Sequence, residues 1–188
     1  MAIDRKTFAK AVTVLCDTSE QKNAHIKAAF DAAGIKYRDA NLILGDYSFE
    51  AQGKDFSLSC VVERKNGVDE IYQNLTHDRD RIEREFAAAK TNITDFSLLI
   101  ENVGSIEEIE SFCVPPWQMQ SQNRQNAEIG RNVAASLMSW QCANRYGFKV
   151  FFCKSPEETA LKMLTHFYYY WRNFKLQNAN RRNMKRGG

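Results

Sequence analysis

The sequence has few of the residues that mark metal-stabilised and disulfide-rich proteins. It contains three widely separated histidines and five cysteines, with no Cys-x-x-Cys pair, so no spacing favours a structural zinc site. The cysteine count is odd, and several cysteines lie in apolar runs, as reduced thiols commonly do. We therefore expect a cytoplasmic protein without disulfide bonds.

Long hydrophobic runs are also missing. The longest apolar stretches, such as 148–153 and 167–171, are too short to span a bilayer, so no membrane association is expected. The first 17 residues carry scattered charges and no continuous apolar segment, which predicts that there is no signal peptide. A chain of 188 residues, 44% hydrophobic and 26% charged, is long enough for one domain with a substantial core.

Charge of one sign is not in large excess. The net charge is only +3, so the composition alone does not indicate a nucleic-acid-binding protein. Basic residues do cluster at the end of the chain: Arg181, Arg182, Lys185 and Arg186. This cluster can contact DNA phosphates or simply keep the chain soluble, and the sequence leaves both open. We assign residues 1–176 to one domain and 177–188 to a basic, flexible tail.

Short apolar runs alternate with amphipathic segments, which predicts an α/β fold with one central mixed β-sheet flanked by helices. Strands are predicted at 12–16, 35–37, 42–49, 56–63, 96–100 and 148–152. Helices are predicted at 18–33, 69–75, 78–90, 126–146 and 155–176, with a polar loop at 118–126. The patterns Ser105-x-x-Glu108 and Ser155-x-x-Glu158 each predict a capping box at a helix start. Strands 42–49 and 56–63 are expected to form a β-hairpin across the turn at 52–55.

The predicted hairpin brings a group of charged residues together. Asp46 lies on one arm and Glu63 on the other, and Lys65 shares a face with Glu63 because strand side chains alternate. Two carboxylates can hold a divalent cation that polarises a phosphate and lowers the pKa of a bound water, while a lysine positions or activates that water and balances developing negative charge. The pattern is weak on its own, since an exposed strand end with an ion pair has the same residues.

The complete motif is more specific. Gly45-Asp46 followed by Glu63-Arg64-Lys65 and Asp69, in the spacing E-R-K-x-x-x-D, resembles the signature of the XPF family of structure-specific DNA nucleases. Further positions resemble the family over residues 12–170: Asp17 and Glu20 after the first strand, Arg81 on a later helix, the strand end at 99–101, and Thr159-Ala160.

The resemblance implies a restriction-endonuclease-like core and a Mg²⁺- or Mn²⁺-dependent endonuclease that cuts branched DNA, such as flaps or junctions, during repair or recombination. It implies metal-ligand roles for Asp46, Glu63 and Asp17. It also implies catalytic roles for Asp46, Glu63, Lys65, Asp69 and Arg64, supporting roles for Glu20 and Arg81, and phosphate contacts from the basic tail.

Some of these roles have structural alternatives. Asp17 and Glu20 could favour a helix N-terminus through its dipole, and Arg64 points to the opposite face from Glu63, which equally suits a structural ion pair. The function also has alternatives, namely a non-catalytic DNA-binding or scaffold subunit, or a nuclease acting on RNA or single strands. The tandem helix-hairpin-helix domain usual in the family is not found, so a compact prokaryotic or viral form is expected.

The resemblance further implies a homodimer formed by the C-terminal helices. Residues Phe167, Tyr170, Trp171 and Phe174 form one apolar stripe that can fill the domain core, which leaves Tyr168 and Tyr169 beside it. Exposed aromatic residues of this kind are enriched at protein interfaces. The alternative is a well-buried core helix with partly exposed tyrosines.

Overall fold

The sheet of the computed structural model follows the predicted class, and the structure is described for residues 5–113 and 126–184. Seven strands in these ranges form one sheet. The strands are β1 (Val12–Asp17), β2 (Lys36–Ala40), β3 (Tyr47–Ala51), β4 (Lys54–Asp55), β5 (Cys60–Lys65), β6 (Asp95–Glu101) and β7 (Lys149–Cys153).

The sheet is mixed. Its strand order is β2-β1-β3-β5-β6-β7, and β4 pairs with β3 away from this path. Strand β3 runs antiparallel to both β1 and β5, while the β1–β2, β5–β6 and β6–β7 pairs are parallel. As a result, β5 lies between an antiparallel and a parallel neighbour near the centre of the sheet.

Helices cover both faces of the sheet. They are α1 (Arg5–Ala11), α2 (Ala24–Ala32), α3 (Val68–Thr76), α4 (Arg79–Asn92), α5 (Ile106–Glu110), α6 (Asn126–Gln141) and α7 (Pro156–Met184). One hydrophobic core lies between the sheet and helices α1, α2 and α7, and a second lies between the sheet and helices α3 to α6. Because both faces are covered, the central strands are almost continuously apolar.

Alternation along β5 assigns each residue to one of the two cores. Cys60 and Val62 belong to the core under α7, whereas Val61 belongs to the core under α4 and α6. On the first side, Phe49 stacks on Phe56 and Phe167 with ring centroids 4.5 and 4.8 Å apart. Fully burying a side chain of this size contributes about 1.5–3 kcal/mol, so this aromatic contact anchors α7 to the sheet.

Two helix starts match their sequence signals closely. Ser105 Oγ accepts a hydrogen bond from the Glu108 N–H at 3.3 Å, and Ser155 Oγ accepts one from the Glu158 N–H at 3.2 Å. Each glutamate also accepts a hydrogen bond from the backbone N–H of the residue before its serine, at 2.7 Å in both cases. The predicted capping boxes at α5 and α7 are therefore confirmed.

Other boundaries differ from the prediction. Residues 42–46 are not part of a strand, since 43–46 form a bend and β3 begins only at Tyr47. Helix α2 begins at Ala24 instead of residue 18, because the side chains of Asp17 and Glu20 accept hydrogen bonds from backbone N–H groups and hold the chain in a turn.

Two further helix boundaries and one loop differ in extent from the prediction. Helix α6 ends at Gln141, not at residue 146. Helix α7 continues to Met184, so residues 177–184, which were assigned to a tail, are helical. The loop predicted at 118–126 lies outside the described residues except for its last position, and the domain boundary at 176 stays a prediction.

The five cysteines are free thiols. Over the ranges 5–113 and 126–184, none of the helices has the length and apolar character needed to cross a membrane.

The turn before β3 requires a glycine at position 45. Gly45 has φ +70°, and a Cβ added there would overlap Cγ1 of Val61 and lie 3.2 Å from the carbonyl oxygen of Val62. Both conformation and space therefore favour glycine at this position, directly before Asp46.

Substitution of Gly45 by alanine should lower the free energy of unfolding by about 2–4 kcal/mol, as measured by urea denaturation. Gly53→Ala is the matched control, because Gly53 has φ +74° but a Cβ added to it would have no neighbouring atom within 4 Å. The control should lose only about 1 kcal/mol of the free energy of unfolding, which is the cost of a positive φ in a residue that has a Cβ. Equal losses in the two variants would show that the contact with Val61 carries no cost.

Candidate active site

Four predicted site residues lie at the ends of neighbouring strands on one face of the sheet. Asp17 ends β1, Asp46 precedes β3, and Glu63 and Lys65 end β5. Asp17, Asp46 and Glu63 line a cleft of about 280 Å³, together with Arg81 and Glu85 of α4. The hairpin arrangement predicted for Asp46 and Glu63 is thus present in space, although β3 and β5 pair directly only at Tyr47 and Val62.

Backbone hydrogen bonds fix the position of Asp46. Its N–H donates to the carbonyl oxygen of Val62 at 3.0 Å, and its side-chain Oδ2 accepts a hydrogen bond from the Arg64 N–H at 2.7 Å. Both partners belong to β5, on either side of Glu63. The carboxylate of Asp46 is therefore held against the strand that carries the other carboxylate.

Glu63 and Lys65 form a close and largely buried pair. Lys65 Nζ donates to Glu63 Oε1 at 2.7 Å and lies 3.5 Å from Glu70 Oε1. The Lys65 and Glu63 side chains are 8% and 14% exposed. Since the pair is held at hydrogen-bond distance out of bulk water, its charges act strongly on their neighbours.

Burial and charge shift the pKa values of this group. Burial, followed by the charge of Glu63, raises the pKa of Asp46 to about 8, although the Arg64 N–H and Lys65 oppose the shift. Burial also raises the pKa of Glu63, although Lys65 opposes it. Burial lowers the pKa of Lys65, but the neighbouring carboxylates, Glu63 first, outweigh burial and raise it overall. Lys65 is therefore protonated at neutral pH.

The carboxylates fit a small, hard divalent cation. Mg²⁺ is commonly bound by one or two protein carboxylates and keeps several water ligands. Asp46 and Glu63 supply two such carboxylates, and their mutual repulsion would fall if a cation lay between them. Within the described ranges no three or more His, Cys, Asp or Glu residues are grouped to hold a metal ion, and the metal-ligand roles of Asp46 and Glu63 stay a prediction.

Asp17 lines the same cleft, but its oxygen atoms already have protein donors. Oδ1 accepts a hydrogen bond from the Leu42 N–H at 2.8 Å, and Oδ2 accepts bonds from the Ser19 N–H at 3.0 Å and from the Ser19 hydroxyl. Burial opposes the change, but these hydrogen bonds lower the pKa of Asp17. Asp17 therefore joins the loop after β1 to the loop before Asp46, and its metal-ligand role stays a prediction.

Arg64 lies on the opposite face of β5, as strand alternation predicts. Its guanidinium is buried, and it donates to Glu101 Oε2 through Nε at 2.7 Å and also through Nη2. Glu20 Oε2 is 3.6 Å from Nη1, and His25 Nε2 is 3.1 Å from both carboxylate oxygens of Glu101. Of the two roles considered for Arg64, this geometry favours the structural ion pair.

The other predicted residues are more scattered. Arg81 lines the cleft and donates to Glu85 Oε1 at 2.8 Å, whereas Asp69 is exposed and lines a different cavity, with Glu20.

The predicted DNA-binding residues are at the end of the chain. Arg181 is exposed on α7. The side chain of Arg182 and the whole of Lys185 and Arg186 lie outside the described structure.

Two acidic residues near Lys65 and Glu63 were missed by the sequence reasoning. Glu70 lies 3.5 Å from Lys65 Nζ, and Glu85 lines the cleft and adds to the pKa of Glu63. Helical spacing could have indicated Glu85, because it lies four residues after Arg81 and both then share one helix face. Glu70 has no comparable signal, since it follows Asp69 directly at the start of α3.

Solved structures confirm the fold. XPF from Aeropyrum pernix aligns with a TM-score of 0.60 at 18% identity, over 89% of this chain and 69% of that chain. XPF from Aeropyrum pernix in complex with DNA aligns with a TM-score of 0.59 at 18% identity, over 86% of this chain and 66% of that one. At this identity the similarity concerns the fold, and it confirms an α/β architecture with a mixed sheet.

Comparisons of the amino-acid sequence identify the family. No curated protein sequence matches the chain significantly. The sequence pattern of the ERCC4 domain, in contrast, matches residues 16–165, a range that includes the strand ends and loops that form the cleft. The chain therefore belongs to the ERCC4 domain family, the nuclease family that the motif at Asp46 and at 63–69 resembles.

Proposed function

We propose that this protein is a metal-dependent DNA endonuclease that hydrolyses phosphodiester bonds in branched DNA. The observation that carries the proposal is the arrangement of three side chains: Asp46 and Glu63 line one cleft at the strand ends, and the buried Lys65 ammonium donates a hydrogen bond to Glu63. A non-catalytic scaffold has no need for two carboxylates and a lysine held in this way at a cost in burial.

Asp46 and Glu63 are the residues that would hold Mg²⁺ or Mn²⁺ in this proposal. When bound, such an ion polarises a phosphoryl oxygen and lowers the pKa of a bound water molecule. The protein's own contribution is to fix both carboxylates from one strand, through the Arg64 N–H on Asp46 and the Lys65 ammonium on Glu63. Two ligands fixed in this way need little rearrangement when substrate arrives.

Lys65 acts as a cation rather than as a base. Its raised pKa keeps the ammonium protonated at neutral pH, so it cannot remove a proton from water there. A positive charge next to the cleft stabilises the extra negative charge that develops on the phosphate during hydrolysis. Of the roles considered for the lysine, activation of water is therefore not proposed, and charge stabilisation is.

DNA as the substrate is supported by family membership and by the similarity to the Aeropyrum pernix protein in its DNA complex. The preference for branched DNA follows from the family resemblance of the motif at Asp46 and at 63–69. The basic residues at the end of α7, of which Arg181 is exposed, are proposed to add contacts to phosphates.

A homodimer formed by helix α7 is also part of the proposal. Phe167 and Trp171 are buried in the core, as predicted. Tyr168 is also buried, with its ring 5.7 Å from that of Phe8 in α1, so the expectation that it lies outside the core is wrong.

Tyr169 remains exposed, and it belongs to a set of exposed apolar residues at helical spacing on α7: Leu161, Tyr169 and Leu176. An isologous contact would bury this surface.

Replacing the cleft residues should abolish cleavage. Asp46→Asn, Glu63→Gln or Lys65→Ala should each lower the rate on a branched DNA substrate with Mg²⁺ by about 100-fold or more, because each removes a charge that acts on the phosphate or its cation. EDTA should stop the wild-type protein. Lys36→Ala, which changes an exposed lysine at the edge strand β2, is the control and should keep full activity. Wild-type rates in a folded Lys65→Ala protein would contradict the assignment.

The carboxylates should also give the metal-free protein an unusual dependence on pH. The folded-state pKa of Asp46, about 8, lies above the value of about 4 in an unfolded chain, so the folded state binds an extra proton between these values. Stability should therefore fall as pH rises from about 4 to 8, as followed by urea denaturation in EDTA. Glu63 has a raised pKa and adds in the same direction.

Asp46→Asn tests the origin of this pH dependence. The variant should be more stable than the wild type at pH 8, by about 1–3 kcal/mol, and less dependent on pH. Mg²⁺ should raise the melting temperature of the wild type and have little effect on Asp46→Asn. A wild-type protein that gains stability between pH 5 and 8 in EDTA would rule out the raised pKa.

The dimer is tested by charge substitution on α7. Leu161→Glu combined with Tyr169→Glu should convert a dimer to a monomer at micromolar concentration, as measured by light scattering, because a buried contact cannot accept unpaired carboxylates. Leu58→Glu is the control, since Leu58 is similarly exposed, at 58%, but lies next to β5 and outside α7. A wild-type mass that stays monomeric as concentration rises excludes a stable homodimer.

A further inference from the structure

A second cavity, of about 480 Å³, lies beside the catalytic cleft. Its walls are the loop after β1, with Glu20, Gln21 and Lys22, and the first turns of α3, with Asp69, Glu70 and Gln73. Ser19 lines both the cleft and this cavity, so the two are adjacent. The volume is in the range of small-ligand sites, about 300–1,000 Å³.

The charge of this cavity does not suit a phosphate group. Three carboxylates line it, from Glu20, Asp69 and Glu70, against two cationic side chains, from Lys22 and Arg64. The guanidinium of Arg64 is buried and already paired with Glu101. A phosphate in this cavity would therefore face more negative than positive charge, whereas a neutral polar group would meet several hydrogen-bond acceptors.

Four side chains around the cavity are available to a ligand. They are exposed and have no hydrogen-bond or ion-pair partner among the described residues: Gln21, Lys22, Asp69 and Gln73. The other two carboxylates are occupied, since Glu20 contacts Arg64 and Glu70 Oε2 accepts a hydrogen bond from the Asn66 N–H at 2.9 Å. The free groups are thus two amides, which donate and accept, one ammonium, which only donates, and one carboxylate, which only accepts.

We propose that this cavity binds the base of an unpaired nucleotide next to the phosphodiester bond that is cut. The proposal rests on the nuclease function proposed above. Glutamine side chains hydrogen-bond to base edges, and a carboxylate accepts a hydrogen bond from an exocyclic amine, as on adenine and cytosine. Thymine has no exocyclic amine, so it should bind less well. A base paired within a duplex cannot enter the cavity without leaving its stack.

This site gives Asp69 a role other than the catalytic one suggested by the motif. Asp69 contacts the base, and its neighbour Glu70 lies 3.5 Å from the Lys65 ammonium. The first turn of α3 thereby joins the base-binding cavity to the catalytic lysine. An unpaired nucleotide beside the cut bond is found at branch points, so the cavity accounts for recognition of branched DNA by the nuclease domain itself.

Binding of single nucleotides tests the site without any cleavage. Titration of the ¹⁵N-labelled, metal-free protein with dAMP, dCMP, dTMP or deoxyribose 5-phosphate can be followed through the side-chain amide signals of Gln21 and Gln73. We expect both signals to move with dAMP and dCMP, less with dTMP, and not with deoxyribose 5-phosphate. Asp69→Asn should remove the difference between dCMP and dTMP. Equal shifts with deoxyribose 5-phosphate, or none with any nucleotide, would overturn the proposal.

Cleavage then tests the role of the site in the reaction. The nucleotides on either side of the cut bond in a branched substrate are replaced, one at a time, by an abasic residue. The double variant Gln21→Ala, Gln73→Ala should lose about 10-fold in rate on the substrate with adenine or cytosine at the sensitive position. It should equal the wild type on the abasic substrate, which contains no base to contact.

Gln177→Ala, an exposed glutamine on α7, is the matched control and should behave as the wild type on both substrates. An equal loss on the intact and abasic substrates would show that the glutamines act on folding or on the backbone, which overturns the proposal. If no DNA is cut by any form of the protein, the nuclease function fails, while the nucleotide titration still decides whether the cavity binds bases.

Discussion

Strand β5 places three charged residues in sequence at a point where helices cover both faces of the sheet. Alternation sends Arg64 to one face and Glu63 and Lys65 to the other. Neither face has free access to bulk water, so each charge needs a partner from the protein. The site depends on this constraint: Glu101 neutralises Arg64 on one side, and Glu63 neutralises Lys65 on the other.

The two faces meet this constraint in different ways. Around Arg64 the carboxylates of Glu101 and Glu20 lie within ion-pair distance, and His25 contacts Glu101. Burial would raise the pKa of Glu101, but its hydrogen bonds, that from Arg64 first, lower it overall. Around Lys65 the carboxylates are in excess, and Asp46 has a backbone N–H as its hydrogen-bond donor. The first face is therefore suited to stability, whereas the second retains negative charge that a cation can bind. Burying more carboxylates than cations lowers the stability of the fold, and a local loss of stability of this kind is typical of functional sites.

The sequence was sufficient to predict those features that depend on local patterns. Strands β1, β6 and β7 are apolar runs bounded by polar residues, and the capping boxes at Ser105 and Ser155 are local signals, so all were placed within one or two residues. The sharing of a cleft by Asp46 and Glu63 was also predictable, because the motif fixes both at the ends of adjacent strands.

Features that depend on tertiary contacts were not predictable in this way. The late start of α2 arises because Asp17 binds the Leu42 N–H, 25 residues away. Tyr168 is buried by α1, a helix of seven residues whose contact with α7 no periodicity reveals. Glu70 reaches Lys65 only because α3 folds back beside β5. In the first two cases the deciding partner is distant in sequence, and in the third it is close in sequence but on a different element.

The length of helix α7 determines how the end of the chain can contribute to binding. It has 29 residues, which at 1.5 Å per residue gives a rod about 44 Å long. Its first half is fixed to the sheet by Phe167 and Trp171, so the second half projects in a set direction. A flexible tail would move over a wide volume, but Arg181 on a continuous helix stays at a constant distance from the cleft. Under the phosphate-contacting role proposed for Arg181, the length of α7 sets the distance between that contact and the cleft.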